Sequence, residues 1–315
     1  MARLLPGSFL SRGGALTMTS KELIWPNFYV VGAAKSGTTS LYEYLKKHPE
    51  VFLPEIKEQN YFSAPPPPGE EIFGIRYCGS LEEYQSLYQQ AAGFTAIGDA
   101  SPSYLWDETA CRRIYEVCPQ AKIIIILRDP VARAYSHYLF NRMLLIEPEA
   151  TFWEALQIEA RLREIKWYSL RPYASYGLYY AQVRRYFDTF GRDQVLVLFF
   201  DDLAKKPKET LAAVAKHIGV DAAHCEALDL SQAHNQYRMP RSRVAYDIAG
   251  RLGLRRIIPP KIRWWLNHSP LLFDRNKPTL DEKSRRFLQQ VFDPDITRLE
   301  ELMGGRLPEL RKSWS

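Results

Sequence analysis

The stretch FYVVGAAKSGTTSL, Phe28 to Leu41, decides how this chain is read. Phe28-Tyr29-Val30-Val31 is a short aromatic and β-branched run, the composition of a parallel strand covered on both faces. Gly32 and Gly37 bracket a loop in which the backbone must turn sharply and come close to a ligand. Thr38, Thr39 and Ser40 then open a helix that continues through Leu41, Tyr42 and Leu45. Free N–H groups at such a helix start, together with the helix dipole, form an anion site.

The nucleotide-triphosphatase loop reads G-x-x-x-x-G-K-[ST]. Here Gly32 and Gly37 have the matching separation and Thr39 stands at the Ser/Thr position. Thr38 replaces the lysine, and the only lysine, Lys35, lies inside the loop. The loop can still wrap a phosphate, but its cation approaches from another direction. The standard lysine–hydroxyl pair for Mg²⁺ and a γ-phosphate is missing. An ordinary strand–turn–helix with an incidental lysine would share this pattern.

Outward from that stretch, strands and helices alternate. Val51-Phe52-Leu53, Ala96–Ala100, Lys122–Leu127 (KIIIIL) and Val195–Phe200 (VLVLFF) read as further strands. Helices are expected at 81–90, 109–117, 131–143, 152–165, 177–190 and 207–218. The fold class is therefore α/β, a central parallel sheet flanked by helices. Ligands of such sheets sit beyond the C-terminal strand ends. That rule predicts Lys35, Asp99 and Arg128 at one rim, since each directly follows or ends a strand. After residue 221 only a basic loop, HNQYRMPRSR, and two or three helices are expected.

The 315 residues suffice for one large core. Residues 1–25 read as a flexible leader, with a natural start at Met18 conceivable, and 26–315 as a single domain. Forty-two basic and 36 acidic residues leave a charge of +6. That excess suits an anionic ligand and is too small to argue for nucleic acid. Cys78, Cys111, Cys118 and Cys225 lack close metal-ligand spacing; Cys111 and Cys118, seven apart on one helix face, read as packed thiols, and a reducing, cytoplasmic setting is expected. The apolar runs are too short for a membrane span.

Arg128 ends an apolar strand, where an unpaired guanidinium is costly, and its planar fork suits phosphate. Pairing with Asp129 or Asp99 is the plainer alternative. Ser136 follows eight residues later, at helical spacing from Arg133.

With these residues in hand, the chain resembles the sulfotransferases that use 3′-phosphoadenosine 5′-phosphosulfate (PAPS). It is most similar to bacterial members allied to the carbohydrate, heparan-sulfate-type branch. GAAKSGTTSLYEYLKKHP matches the family's 5′-phosphosulfate loop and following helix. LRDPVARAYSHY matches its 3′-phosphate motif, and KEQNYF the segment carrying its catalytic glutamate. DASPSYL, GLYYAQVRRYF and LDEKSRRFLQQVFDPDITRLEELMGGRLPELRKSW also fit, so the resemblance runs from about Pro26 to Trp314.

The resemblance implies a P-loop-like sulfotransferase fold and transfer of a sulfuryl group from PAPS to an acceptor hydroxyl. PAP would be the product, and no metal would be required. It implies that Lys35 contacts the 5′-phosphosulfate, with Ser36, Gly37, Thr38, Thr39 and Ser40 supplying loop contacts. Arg128 and Ser136 would hold the 3′-phosphate, and a basic residue of the Arg238–Arg243 loop, Arg241, would close over the nucleotide. Glu58 would be the general base; a surface carboxylate paired with Lys57 is the plainer alternative. The implied acceptor is a glycan or glycolipid, with a hydroxylated polyketide or other small metabolite next. The heparan-sulfate enzymes often carry a histidine where Asn60 stands and a lysine where Ala100 stands, which weakens a heparan-like acceptor. His48 and His137 read as structural. A metal-dependent phosphotransferase would need a carboxylate after a strand, and Asp129, between Arg128 and Pro130, is poorly placed for one. A nucleotide-binding protein without catalysis is the non-enzyme alternative.

Overall fold

The computed structural model describes residues 23–67, 75–162, 171–226, 228, 239–240, 273–274 and 276–314. Five parallel strands form the central sheet: β1 (Phe28–Gly32), β2 (Val51–Phe52), β3 (Ala96–Ala100), β4 (Lys122–Leu127) and β5 (Val195–Phe199), in the order β2-β3-β1-β4-β5. The central strand β1 pairs with β3 on one side and with β4 on the other.

Side-chain alternation builds the layers. Tyr29 and Val31 of β1, with Ile123, Ile125 and Leu127 of β4, enter one apolar cluster; Phe28 and Val30, with Ile124 and Ile126, enter the other. A strand with both faces buried needs no polar alternation, which is why KIIIIL reads as continuous apolar sequence. The second face is covered by α1 (Thr38–Leu45) through Leu41 and Leu45, and by a helix at Pro207–Ile218 through Leu211 and Val214. The first face is covered by helices at Glu108–Val117, Pro130–Met143, Phe152–Glu159, Tyr179–Phe190 and Glu282–Met303. In chain order α2 is Leu81–Ser86, α3 Glu108–Val117, α4 Pro130–Met143, α5 Phe152–Glu159 and α6 Tyr179–Phe190. Then come α7 (Phe200–Lys205), α8 (Pro207–Ile218), the single turn α9 (Ala223–Glu226) and α10 (Glu282–Met303).

The strands differ from the sequence-based boundaries by one residue at an end, β1 reaching Gly32 and β2 stopping at Phe52, and some helices shift further. α2 stops at Ser86 rather than residue 90, and α6 starts at Tyr179 after a 3₁₀ turn over Ser175–Gly177. Phe200, read as a strand residue, opens α7 instead. A two-residue antiparallel pair, Met239–Pro240 with Phe273–Asp274, was not foreseen. Cys78, Cys111 and Cys225 are buried free thiols, and Cys118 is partly buried.

Asp99 corrects the rim prediction. Its side chain turns into the core, fully buried, and accepts hydrogen bonds from Tyr84 (2.9 Å), Tyr104 (2.9 Å) and Ser101 (2.7 Å). Burial pushes its carboxyl up to about 6, while the three hydroxyls act in the opposite sense.

Candidate active site

Adjacent parallel strands bring separate stretches of sequence to one edge. The loop leaving β1 meets β4 through the Ala33 N–H, which donates to the Ile126 carbonyl at 2.8 Å. Lys35 then adopts φ 68° and Gly37 φ 93°. A Cβ on Gly37 would lie 3.0 Å from the Phe200 ring, so glycine serves both the left-handed turn and the close approach of that ring. The Arg128 guanidinium also packs on Phe200, 4.4 Å from the ring centroid.

α1 starts immediately after Gly37, which supplies no side-chain cap, and its first turn, Thr38-Thr39-Ser40, carries no acidic residue. The opening N–H groups and the positive end of the dipole are left for an anion. Ser36 is fully buried, and its hydroxyl lies beside that of Tyr179 without a well-formed hydrogen bond. Thr38 is buried, and Thr39 and Ser40 are half-buried.

The Lys35 ammonium sits 3.5 Å from the centroid of the Phe140 ring on α4. Burial pushes its pKa down to about 8; Glu58 opposes this, whereas Arg128, Lys57 and Arg133 add to it. Four cations and one carboxylate thus share a field in which an anionic ligand is strongly favoured.

Arg128 donates through Nη1 to the carbonyl of Lys35 at 3.0 Å, and its own carbonyl accepts from the Tyr179 hydroxyl at 3.0 Å. Among the described residues it forms no ion pair. Asp129 is engaged elsewhere: Oδ1 caps α4 by accepting from the Ala132 N–H (2.9 Å), and the carboxylate also accepts from the Ser313 N–H and hydroxyl. Neither carboxylate offered by the sequence therefore takes Arg128. Ser136 lies half-buried on α4, one turn beyond Arg133. Arg133 itself is fully buried; Nη2 donates to the Tyr173 carbonyl, while Nε and Nη1 find no hydrogen-bond partner among the described residues.

Glu58 approaches from the segment after β2, its N–H donating to the carbonyl of Ala100 at the end of β3 (3.1 Å). It has φ 63°, and Asn60 has φ 55°. Left-handed backbone at non-glycine residues is costly and tends to gather at functional sites. The buried Asn60 braces the segment: Nδ2 donates to the carbonyls of Glu58 (3.0 Å) and Arg76 (2.6 Å), and Oδ1 accepts from Ser103 (2.5 Å). The residue standing where the resembled enzymes often have histidine is thus a structural bracket. The Glu58 side chain is 52% exposed and pairs with Lys57 at 2.7 Å. The Lys57 ammonium also reaches the hydroxyls of Thr38 (3.4 Å) and Thr39 (3.3 Å).

Lys57, Asn60, Arg133 and Tyr179 were not assigned to the site from sequence. Only the first carried a local signal, its position beside Glu58. His48 is structural: Nε2 contacts the Asp221 carbonyl and Nδ1 accepts from the Glu50 N–H. The His137 ring packs against Tyr173 and Tyr176, and burial drives its pKa well below the usual value. Arg241 and most of the basic loop around it lie outside the described residues. Among the described residues, no cluster of three or more His, Cys, Asp or Glu is arranged to hold a metal ion.

The family model for the sulfotransferase domain matches residues 26–303. The chain belongs to the sulfotransferase family. A sulfotransferase from Alicyclobacillus acidocaldarius superposes with a TM-score of 0.68 at 30% identity, covering 91% of this chain and 99% of that one. The membrane-associated sulfotransferase kil1 of Dictyostelium discoideum is 38% identical over 126 residues, 40% of this chain and 25% of that protein. Carbohydrate sulfotransferase 15 of Mus musculus is 29% identical over 281 residues, 69% of this chain and 48% of that protein. The chain thus spans from a quarter to about half the length of these curated relatives. Among the described residues, no helix is long and apolar enough to cross a membrane. In this member of the family, the P-loop-like β1–loop–α1 unit and the strand end bearing Arg128 lie side by side.

Proposed function

We propose that the chain transfers the sulfuryl group of PAPS to an acceptor hydroxyl, without a metal ion, with a glycan or glycolipid as acceptor. The observation that carries this reading is the meeting of Lys35 and Arg128 through one hydrogen bond, with Glu58 in the same electrostatic neighbourhood. The donor-side residues fit a bisphosphorylated nucleotide. Ser36 offers a buried hydroxyl beside that of Tyr179, α1 an N-terminus without a side-chain cap, and Arg128 a guanidinium that forms no ion pair among the described residues.

When bound, PAPS supplies a sulfuryl group activated by its phosphate leaving group. Lys35, Ser36, Gly37, Thr38, Thr39 and Ser40 would hold the 5′-phosphosulfate, and Lys35 would balance charge on the leaving oxygen. Arg128 and Ser136 would hold the 3′-phosphate, with Arg241 closing over the nucleotide. Glu58 would accept the hydroxyl proton of an acceptor positioned in line with the sulfur. Two relatives bear on the acceptor: one is named a carbohydrate sulfotransferase and the other a membrane-associated one. A cytoplasmic location remains part of the proposal, as does a small hydroxylated metabolite as the alternative acceptor.

The test is transfer from labelled PAPS to a broad hydroxyl library in the presence of EDTA. Sulfated product at an undiminished rate is expected. Transfer from labelled ATP that vanishes with EDTA would replace this reading by phosphotransfer. Tight PAP binding with no product from any acceptor would favour the non-catalytic alternative.

A further inference from the structure

Lys57 holds a position that the donor and base assignments leave unused. Its side chain is only 14% exposed, against 52% for its partner Glu58. The ammonium has three donors, and three oxygens surround it: Glu58 Oε1 at 2.7 Å, Thr39 Oγ1 at 3.3 Å and Thr38 Oγ1 at 3.4 Å. The first belongs to the proposed base, and the other two stand at the mouth of the phosphate-holding loop. No other cation among the described residues contacts both. A hydroxyl can accept from Lys57 and donate to a phosphate at once, so these contacts survive the arrival of an anion.

Building on the sulfuryl-transfer reading, we propose that Lys57 is a shared cation, held by Glu58 when the donor pocket is empty and drawn to the donor's 5′-phosphosulfate as negative charge moves there. In the step concerned, the acceptor O–H bond breaks and its proton passes to Glu58. The acceptor oxygen forms the new O–S bond, and the bond from sulfur to the bridging oxygen breaks with its electron pair left on the 5′-phosphate. One unit of negative charge thereby leaves the carboxylate and appears on the phosphate. Lys57 lies between the carboxylate and the two hydroxyls of the loop that would hold the phosphate. Lys35 comes from the loop after β1 and packs on Phe140; it feels the charge of Glu58 but forms no ion pair with it among the described residues. The two lysines therefore have separable tasks: one fixed on the donor, one exchanged between donor and base.

The test is a double-mutant cycle on PAP affinity, measured by calorimetry with Lys57→Met, Glu58→Gln and the combined variant, alongside turnover. Glu58→Gln frees the ammonium for the phosphate, so PAP should bind about three- to tenfold tighter than in the parent. Lys57→Met should bind PAP about ten- to a hundredfold more weakly, the range of one charge-assisted hydrogen bond. The combined variant should match Lys57→Met, the gain from Glu58→Gln having vanished. Lys57→Arg should restore affinity to within about threefold, because charge and reach are retained. Thermal denaturation checks that each variant folds. If Glu58→Gln tightens PAP equally with and without Lys57, the carboxylate acts by simple repulsion and the shared-cation proposal is wrong. If Lys57→Met leaves PAP affinity unchanged while the parent binds PAP, the proposal also fails. Failure of the parent to bind PAP would instead overturn the sulfuryl-transfer reading beneath it.

Discussion

The guanidinium of Arg128 donates to the main-chain carbonyl of Lys35, 93 positions away in sequence, at 3.0 Å. One cation thus shapes the loop that carries another, and on the proposed reading the two ends of a bisphosphorylated nucleotide would be coupled through this bond.

That coupling sets the expectation for Arg128→Ala. PAP affinity should fall about a hundredfold, as expected for a buried charge-assisted contact to phosphate. AMP, which lacks the 3′-phosphate, should lose only a few-fold, through loosening of the Lys35 loop. Calorimetric titration of both nucleotides checks this, and equal losses for the two would contradict the placement.

Glu58→Gln keeps the shape of the side chain and the main-chain bond to Ala100. Turnover should drop by at least about a hundredfold, the usual scale for a lost general base. PAP binding should be strengthened about three- to tenfold. Single-turnover transfer beside a PAP titration separates the two effects. Turnover close to the parent's would place the base elsewhere.

Lys35 supplies a pH dependence. With its pKa pushed down to about 8 in the empty site, it is mostly charged at pH 7 and loses its proton as the pH rises through 8. PAP affinity should therefore decline above about pH 8, by up to about tenfold per unit, since the anion favours the charged form. Lys35→Arg, which stays charged, should flatten the decline even where it weakens binding overall.

Asp99 affects stability instead. Its carboxyl is raised to about 6 in the fold from an ordinary value near 4. The folded state therefore binds the proton more tightly than the unfolded chain. Its contribution is fully present below about pH 4 and is lost as the pH rises through about 6, a change of roughly 3 kcal/mol. Urea unfolding of the parent and of Asp99→Asn between pH 4 and pH 7 should show the difference between them shifting by that order. A constant difference would mean that the three hydroxyls already keep Asp99 ionised throughout.

The β1–loop–α1 unit and KIIIIL could be read from sequence because their signals are local: an apolar run, paired glycines, hydroxyls opening a helix. The proximity of Lys35 and Arg128 was also legible, since it follows from two parallel strands with ligand loops at their C-terminal ends. Asp99 could not be read in this way. Its position at the end of β3 suggested the rim, but Tyr84 on α2 and Tyr104 beyond the strand supply hydroxyls on the inner side. Asn60 likewise looked like a mere departure from a motif, and its bracing role depends on Arg76 and Ser103, distant in sequence. The bridge from Lys57 to Thr38 and Thr39 depends on how the segment after β2 folds back over α1, which no local pattern encodes.

Ser313 closes the α4 entrance by giving two hydrogen bonds to Asp129, and Arg285 of α10 donates to the Ser313 carbonyl at 2.5 Å. The Ser313 segment is thus buttoned onto the residue next to Arg128. Trimming it, or anchoring a purification handle within it, should be felt as weaker nucleotide retention long before the sheet itself loosens.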